Sequence, residues 1–261
     1  MIITLIISIL PVYLVGLYIY KKDKNKEPKS LLKRLFLYGM LSCIPAAITE
    51  LLLGNFFGSE EFMDMITLFF YVFISVALVE ELFKWVITYL LTYNNYEFDE
   101  LYDAIVYAVF VSLGFACFEN IFYVLDAGAK VGIYRAITAI PGHASDAIIM
   151  GNYLGLAKLA NINNNSKLCK KNLILSILVP SLAHTIYDYC LFTDNVIFLL
   201  IFVIFLISIY IYSIKKVKMI SSNKKSLSNN EFITLSFRSH CPKCGTISRG
   251  NYCYKCGTKL N

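Results

Sequence analysis

Glu80-Glu81-Leu82-Phe83-Lys84 sets three ionisable side chains inside an apolar stretch running from about Met63 to Tyr93. On insertion scales a charged residue at the centre of a membrane helix costs about 2.5–3.5 kcal/mol, so three of them demand partners, water or a chemical task. The pattern recurs downstream. Phe115-Ala-Cys-Phe-Glu119-Asn120, Pro141-Gly-His143-Ala-Ser-Asp146 and His184-Thr-Ile-Tyr187-Asp188 each lie in an otherwise apolar segment. On a helix Lys84 is i+4 from Glu80 and i+3 from Glu81, so it is expected to neutralise one carboxylate but hardly both, leaving one Glu free to act. His184 and Asp188 are also i,i+4, which lets the carboxylate orient the imidazole and hold its tautomer. His143 and Asp146 repeat the relation at i,i+3.

Such a set suits activation of water in a low-dielectric cavity. A buried Glu takes the proton, and a neighbouring His donates to the developing oxyanion or the leaving amine. Two His and one Glu would equally serve as a catalytic metal triad with a second Glu as base, although the chain has no His-Glu-x-x-His helix motif. Asp146 has no assigned role.

These residues need elements that bring them together inside a membrane. The 261-residue chain is 57% hydrophobic and 16% charged, with a mean hydropathy of +0.61, too apolar for a soluble fold of this size. The expected fold class is an all-α polytopic membrane protein with about seven transmembrane helices, near 2–20, 35–57, 63–91, 103–125, 136–159, 172–193 and 196–214. The first is read as a true span, because no basic residue precedes it and no small-residue cleavage pattern follows. The expected domains are a membrane unit over 1–214, a basic flexible linker over 215–240, and a small unit over 241–257.

Orientation follows from Lys and Arg in the loops. Lys21–Arg34 holds seven, Lys158–Lys171 four and Lys215–Lys225 five, against two, Lys130 and Arg135, in the connection after the fourth span. The N-terminus is expected outside and the C-terminus in the cytoplasm of a cell membrane. The lysines after the last span suit anionic lipid as well as topology, and nothing in the chain suggests nucleic acid as a partner.

Of eight cysteines, Cys43, Cys117, Cys169 and Cys190 follow no pattern and read as buried thiols. Cys241-Pro-Lys-Cys244-Gly and Cys253-Tyr-Lys-Cys256-Gly form two Cys-x-x-Cys knuckles able to close on one structural Zn²⁺, whose binding would supply most of so small a unit's folding free energy. A closed four-thiolate site leaves no position for catalysis.

The order Glu-Glu-x-x-Lys, Phe-x-x-x-Glu-Asn, a His followed by Gly151, and His-x-x-Tyr-Asp resembles the PrsW family of intramembrane proteases. The resemblance runs from about Leu78 to Tyr189 and includes Tyr102-Asp103 at the entry to the fourth span. It is distantly similar to the CAAX-prenyl endopeptidases and bacteriocin-immunity membrane proteases. It implies hydrolysis of membrane-protein substrates, the known type being cleavage of an anti-sigma factor in bacterial stress signalling. It also implies a catalytic set of Glu80, Glu81, Glu119, His143 and His184, supported by Lys84, Asn120 and Asp188, working as glutamate-type or metal-dependent proteases. The ribbon is an addition to the family pattern that could recruit substrate or a cytoplasmic regulator. Two other classes use the same residues or the same tail: a proton- or ion-coupled transporter, against which the absence of an internal repeat counts, and a non-catalytic adaptor acting through the ribbon.

Overall fold

The computed structural model describes residues 2–57, 63–193, 195–222, 227, 239–240, 243–244, 247–248 and 258. Among the described residues eight helices follow one another: α1 (Ile2–Lys22), α2 (Lys29–Phe57), α3 (Met65–Thr92), α4 (Leu101–Ala127), α5 (Ala129–Ile137), α6 (Ala139–Ile162), α7 (Ser166–Phe192) and α8 (Val196–Ser222). Five of them, α2, α3, α4, α7 and α8, are long and apolar enough to cross a membrane. Each of the seven expected spans coincides with one long helix.

Helix α4 is the hub. Within its most apolar window 83% of residues are buried, against 22% in α8, so α4 sits inside the bundle while α8 offers most of its surface to lipid. Glycine makes the close packing around it work, since membrane helices gain association chiefly through close backbone approach. A Cβ on Gly39 of α2 would lie 2.0 Å from the Val111 carbonyl oxygen, and one on Gly114 of α4 would lie 2.0 Å from that of Phe36. Gly151 of α6 meets the Ala104 carbonyl of α4 in the same way, at 2.6 Å. The glycine that follows the histidine in the sequence motif is therefore a packing requirement.

Local chemistry sets the helix ends. The Asp64 carboxylate accepts from the backbone N–H of Ile66 and Thr67, capping α3, and these bonds hold its carboxyl below the usual range. Glu100 and Asp103 form a reciprocal capping box at the start of α4. Gly128, at φ 85°, ends it in a conformation other residues adopt at a cost.

Three boundaries differ from the expectation. The stretch over 126–135, expected as a loop, holds the separate nine-residue helix α5, and the chain turns at Thr138 before α6 begins. Helix α8 continues to Ser222, so the first eight residues of the expected linker are helical, and the Leu227 N–H donates to the Asp99 carbonyl at 2.8 Å with its side chain in the main core. Pro11, Pro45 and Pro180 lie inside continuous helices. In the tail, Ser239–His240 and Ile247–Ser248 pair as short antiparallel strands. Cys244 is exposed, and Cys241, Cys253 and Cys256 lie outside the described residues.

Candidate active site

Helix α3 carries the first motif, and its winding changes just before it. Val72–Ala77 form a π-helix, and Leu78–Thr92 resume the α-helix. A π-turn takes up an extra residue and so rotates everything after it, a device frequent at functional sites. Glu80, Glu81 and Lys84 emerge on the buried face, 6%, 0% and 0% exposed. Trp85 then fastens α3 to α7 by donating from Nε1 to Ser176 Oγ at 2.8 Å.

Lys84 organises the centre. Its Nζ donates to Glu80 Oε2 at 2.8 Å and to Glu81 Oε1 at 2.8 Å, lies 3.2 Å from His143 Nδ1, and sits over the Phe115 ring. The expectation that one glutamate is left free is corrected: Lys84 bonds both, although its single charge answers only one of the two. An ammonium has three donors, and here three acceptors surround it. Because Lys84 can only donate, His143 Nδ1 accepts, and Nε2–H is left to donate to Glu119 Oε2 at 2.9 Å. The expected His143–Asp146 partnership is also corrected. His143 turns toward α3 and α4, and Asp146 keeps a buried Oδ1 with no hydrogen-bond partner among the described residues.

His184 on α7 completes the group. Its Nδ1 lies 3.2 Å from Glu81 Oε1, and its Nε2 lies 3.1 Å from Asp188 Oδ2 and 4.0 Å from Glu80 Oε2. The i,i+4 relation with Asp188 is thus realised. The two imidazoles stand edge to face, with centroids 5.3 Å apart. Asn120 stands to one side: its Nδ2 donates to the Ser8 carbonyl of α1, and its Oδ1 accepts from Arg135 Nε at 3.0 Å.

Arg135 belongs to the site although the sequence reading counted it only as a loop charge. It lies on α5, 3.0 Å from Glu119 Oε2, with its guanidinium 3.9 Å from the Tyr123 ring centroid. The available signal was a cation directly ahead of the His143 segment, in a connection otherwise poor in charge. A cavity of about 610 Å³ opens onto Glu80, Glu119, Arg135, His143, Asp146 and His184. Glu81 and Lys84 lie behind its wall, fully buried.

A sequence model described as PrsW family intramembrane metalloprotease matches residues 27–212. The chain belongs to the PrsW family of intramembrane proteases. It is 39% identical to a protein named Protease PrsW from Oceanobacillus iheyensis over 76% of this chain and 88% of that one. It is 36% identical to the Bacillus subtilis protein of that name over 72% and 84%, and 31% identical to the Clostridioides difficile one over 81% and 90%. No solved structure matches it.

A PrsW family chain described as a metalloprotease should offer a metal-compatible donor set, and this one does. Glu80, Glu81, His143 and His184 each present one ligand atom, all within 4.8 Å of one another. Glu81 Oε2 is buried without a hydrogen-bond partner among the described residues, a lone-pair donor left over at the centre of the group. Two imidazoles and two carboxylates suit a divalent transition metal. Glu119 lies outside that foursome, engaged by Arg135 and His143.

Proposed function

We propose that this protease hydrolyses peptide bonds of membrane-protein substrates in the cavity between α2, α3, α4, α6 and α7, with Glu80 as general base. The observation that carries the reading is that Glu80, Glu119, His143 and His184, from four different helices, converge on one cavity among apolar helices. Glu80 is at the wall and can reach a water there. Glu81 is behind it and serves to hold Lys84 and His184.

In the proposed reaction Glu80 removes a proton from water as the oxygen attacks the scissile carbonyl carbon. His143 Nε2–H and the Arg135 guanidinium donate to the oxyanion that forms, in a site whose low dielectric strengthens each bond. The proton held by Glu80 then passes to the leaving amine as the C–N bond breaks, which returns the carboxylate. A divalent metal bound by His143, His184 and Glu81 would supply Lewis-acid polarisation of the carbonyl and a more acidic water, with His143 then a ligand and Arg135 alone the oxyanion donor.

Around this centre we assign seven membrane spans, one to each long helix, with the N-terminus outside and the basic C-terminal side in the cytoplasm of the cell membrane. Cys241, Cys244, Cys253 and Cys256 are assigned to a structural zinc ribbon that carries a regulator or substrate contact. A single-span anti-sigma-factor-like regulator is the proposed substrate type. The test is co-expression with a tagged single-span substrate: Glu80→Gln, His143→Ala and His184→Ala should each lower cleavage by about 10²-fold or more. Undiminished cleavage in all three would reject the reading.

A further inference from the structure

Helix α2 presents the cavity with Cys43, Ile44, Ala47 and Ile48, and then with one carboxylate, Glu50. It lies sixteen residues beyond Arg34, about 24 Å along the axis at 1.5 Å per residue, and so toward the far side of the membrane from the basic end of α2. The charges that act on Glu50 include those of Glu80, Glu119, Lys84 and His184. Yet Glu50 has no hydrogen-bond or ion-pair partner among the described residues. Glu80 is paired with Lys84, Glu119 with Arg135 and His143, and Asp188 with His184. Asp146 also lacks a partner at Oδ1 but is nearly enclosed, whereas Glu50 is half-buried and reachable from the cavity.

An intramembrane carboxylate without a partner is costly, and this one faces the space a substrate must enter. Arg135 is the one Lys or Arg among the described residues lining the cavity, and Glu119 already pairs with it, so no lysine or arginine of the wall is left for Glu50. We propose that Glu50 is a specificity residue that receives a basic side chain of the substrate. The assignment rests on the protease reading above. Such a subsite would be selective, because Lys and Arg are uncommon at the non-cytoplasmic end of a span, and a charge pair formed in this desolvated setting discriminates strongly against a like charge.

The test uses the full-length membrane enzyme and a set of single-span reporters. The reporters differ at one residue, stepped through the non-cytoplasmic half of the span and set to Lys, Gln or Glu. Cleavage is measured with wild type, and capture of intact reporter with the Glu80→Gln variant. At one position the Lys reporter should be cleaved and captured about tenfold better than the Glu reporter. Glu50→Gln should level that preference, and Glu50→Lys should invert it. Efficient cleavage and capture that ignore both the reporter charge and the Glu50 variants would overturn the subsite while leaving the protease intact. Charge-dependent capture without cleavage would uphold the subsite and reject the hydrolytic reading, and neither capture nor cleavage would reject both.

Discussion

Lys84 is the residue on which the centre depends. It is fully buried and holds Glu80, Glu81 and His143 together, so its removal takes the ammonium from both carboxylates and leaves His184 as the cation beside them. Breaking a buried ion pair from one side typically costs about 3–5 kcal/mol, and Lys84→Met should lower stability in detergent by about that much. The double variant Lys84→Met with Glu81→Gln should recover part of the loss, because it removes one of the stranded charges. Thermal unfolding of the purified variants checks both outcomes. Arg135 acts from the other side of the cavity. If it donates to the oxyanion, Arg135→Gln should lower kcat by about 10-fold or more with little change in KM, whereas a purely structural role would appear in unfolding and not in kcat.

At the scale of elements, the site depends on how closely α4 meets its neighbours. Gly114→Ala would push a Cβ to 2.0 Å from a backbone carbonyl of α2, and backbone cannot yield as a flexible side chain can. Overpacking of this kind costs about 1–3 kcal/mol or more. Gly114→Ala should therefore lower the unfolding midpoint, while Gly16→Ala should not, since its Cβ would meet only the far end of the Leu113 side chain at 3.4 Å. Comparing the two in one unfolding assay separates close packing from helix propensity. The π-turn at Val72–Ala77 belongs to this scale too, because the facing of Glu80, Glu81 and Lys84 depends on it.

Across the whole molecule, the α1–α2 connection is tied to the hub by buried acids. Tyr107 Oη donates to Glu27 Oε2 at 2.6 Å, and Tyr102 Oη donates to the Ile19 carbonyl at 3.0 Å. Burial pushes the Glu27 carboxyl up from 4.5 to about 8, with Asp23, Glu97 and Asp99 adding repulsion and the Tyr107 hydrogen bond opposing it. The folded state therefore binds a proton that the unfolded chain has lost over that interval, and stability should fall as pH rises from about 4.5 toward about 8. Glu27→Gln should flatten this slope, as unfolding measured across that range would show. In the tail, full-length protein should carry a ribbon zinc that Cys244→Ser releases, by metal analysis beside a chain ended at Ser222. Any metal kept by the shortened chain would belong to the membrane centre.

The membrane class, seven long helices and the pairing of His184 with Asp188 were legible in the sequence, because hydropathy and i,i+4 spacing are local properties of one helix. So were most of the ionisable residues that cluster at the cavity, since ionisable residues in apolar segments are costly enough to stand out. Partners across helices were not legible. Lys84 reaches both glutamates, and His143 chooses Glu119 and Lys84 over its own Asp146, because the rotation of each helix is set by its neighbours and by a π-turn that no local pattern announced. Arg135 and Glu50 read as a loop charge and an unremarked acid until packing turned both to one cavity. Spacing along a chain decides which groups share a helix face; only the tertiary structure decides what that face meets.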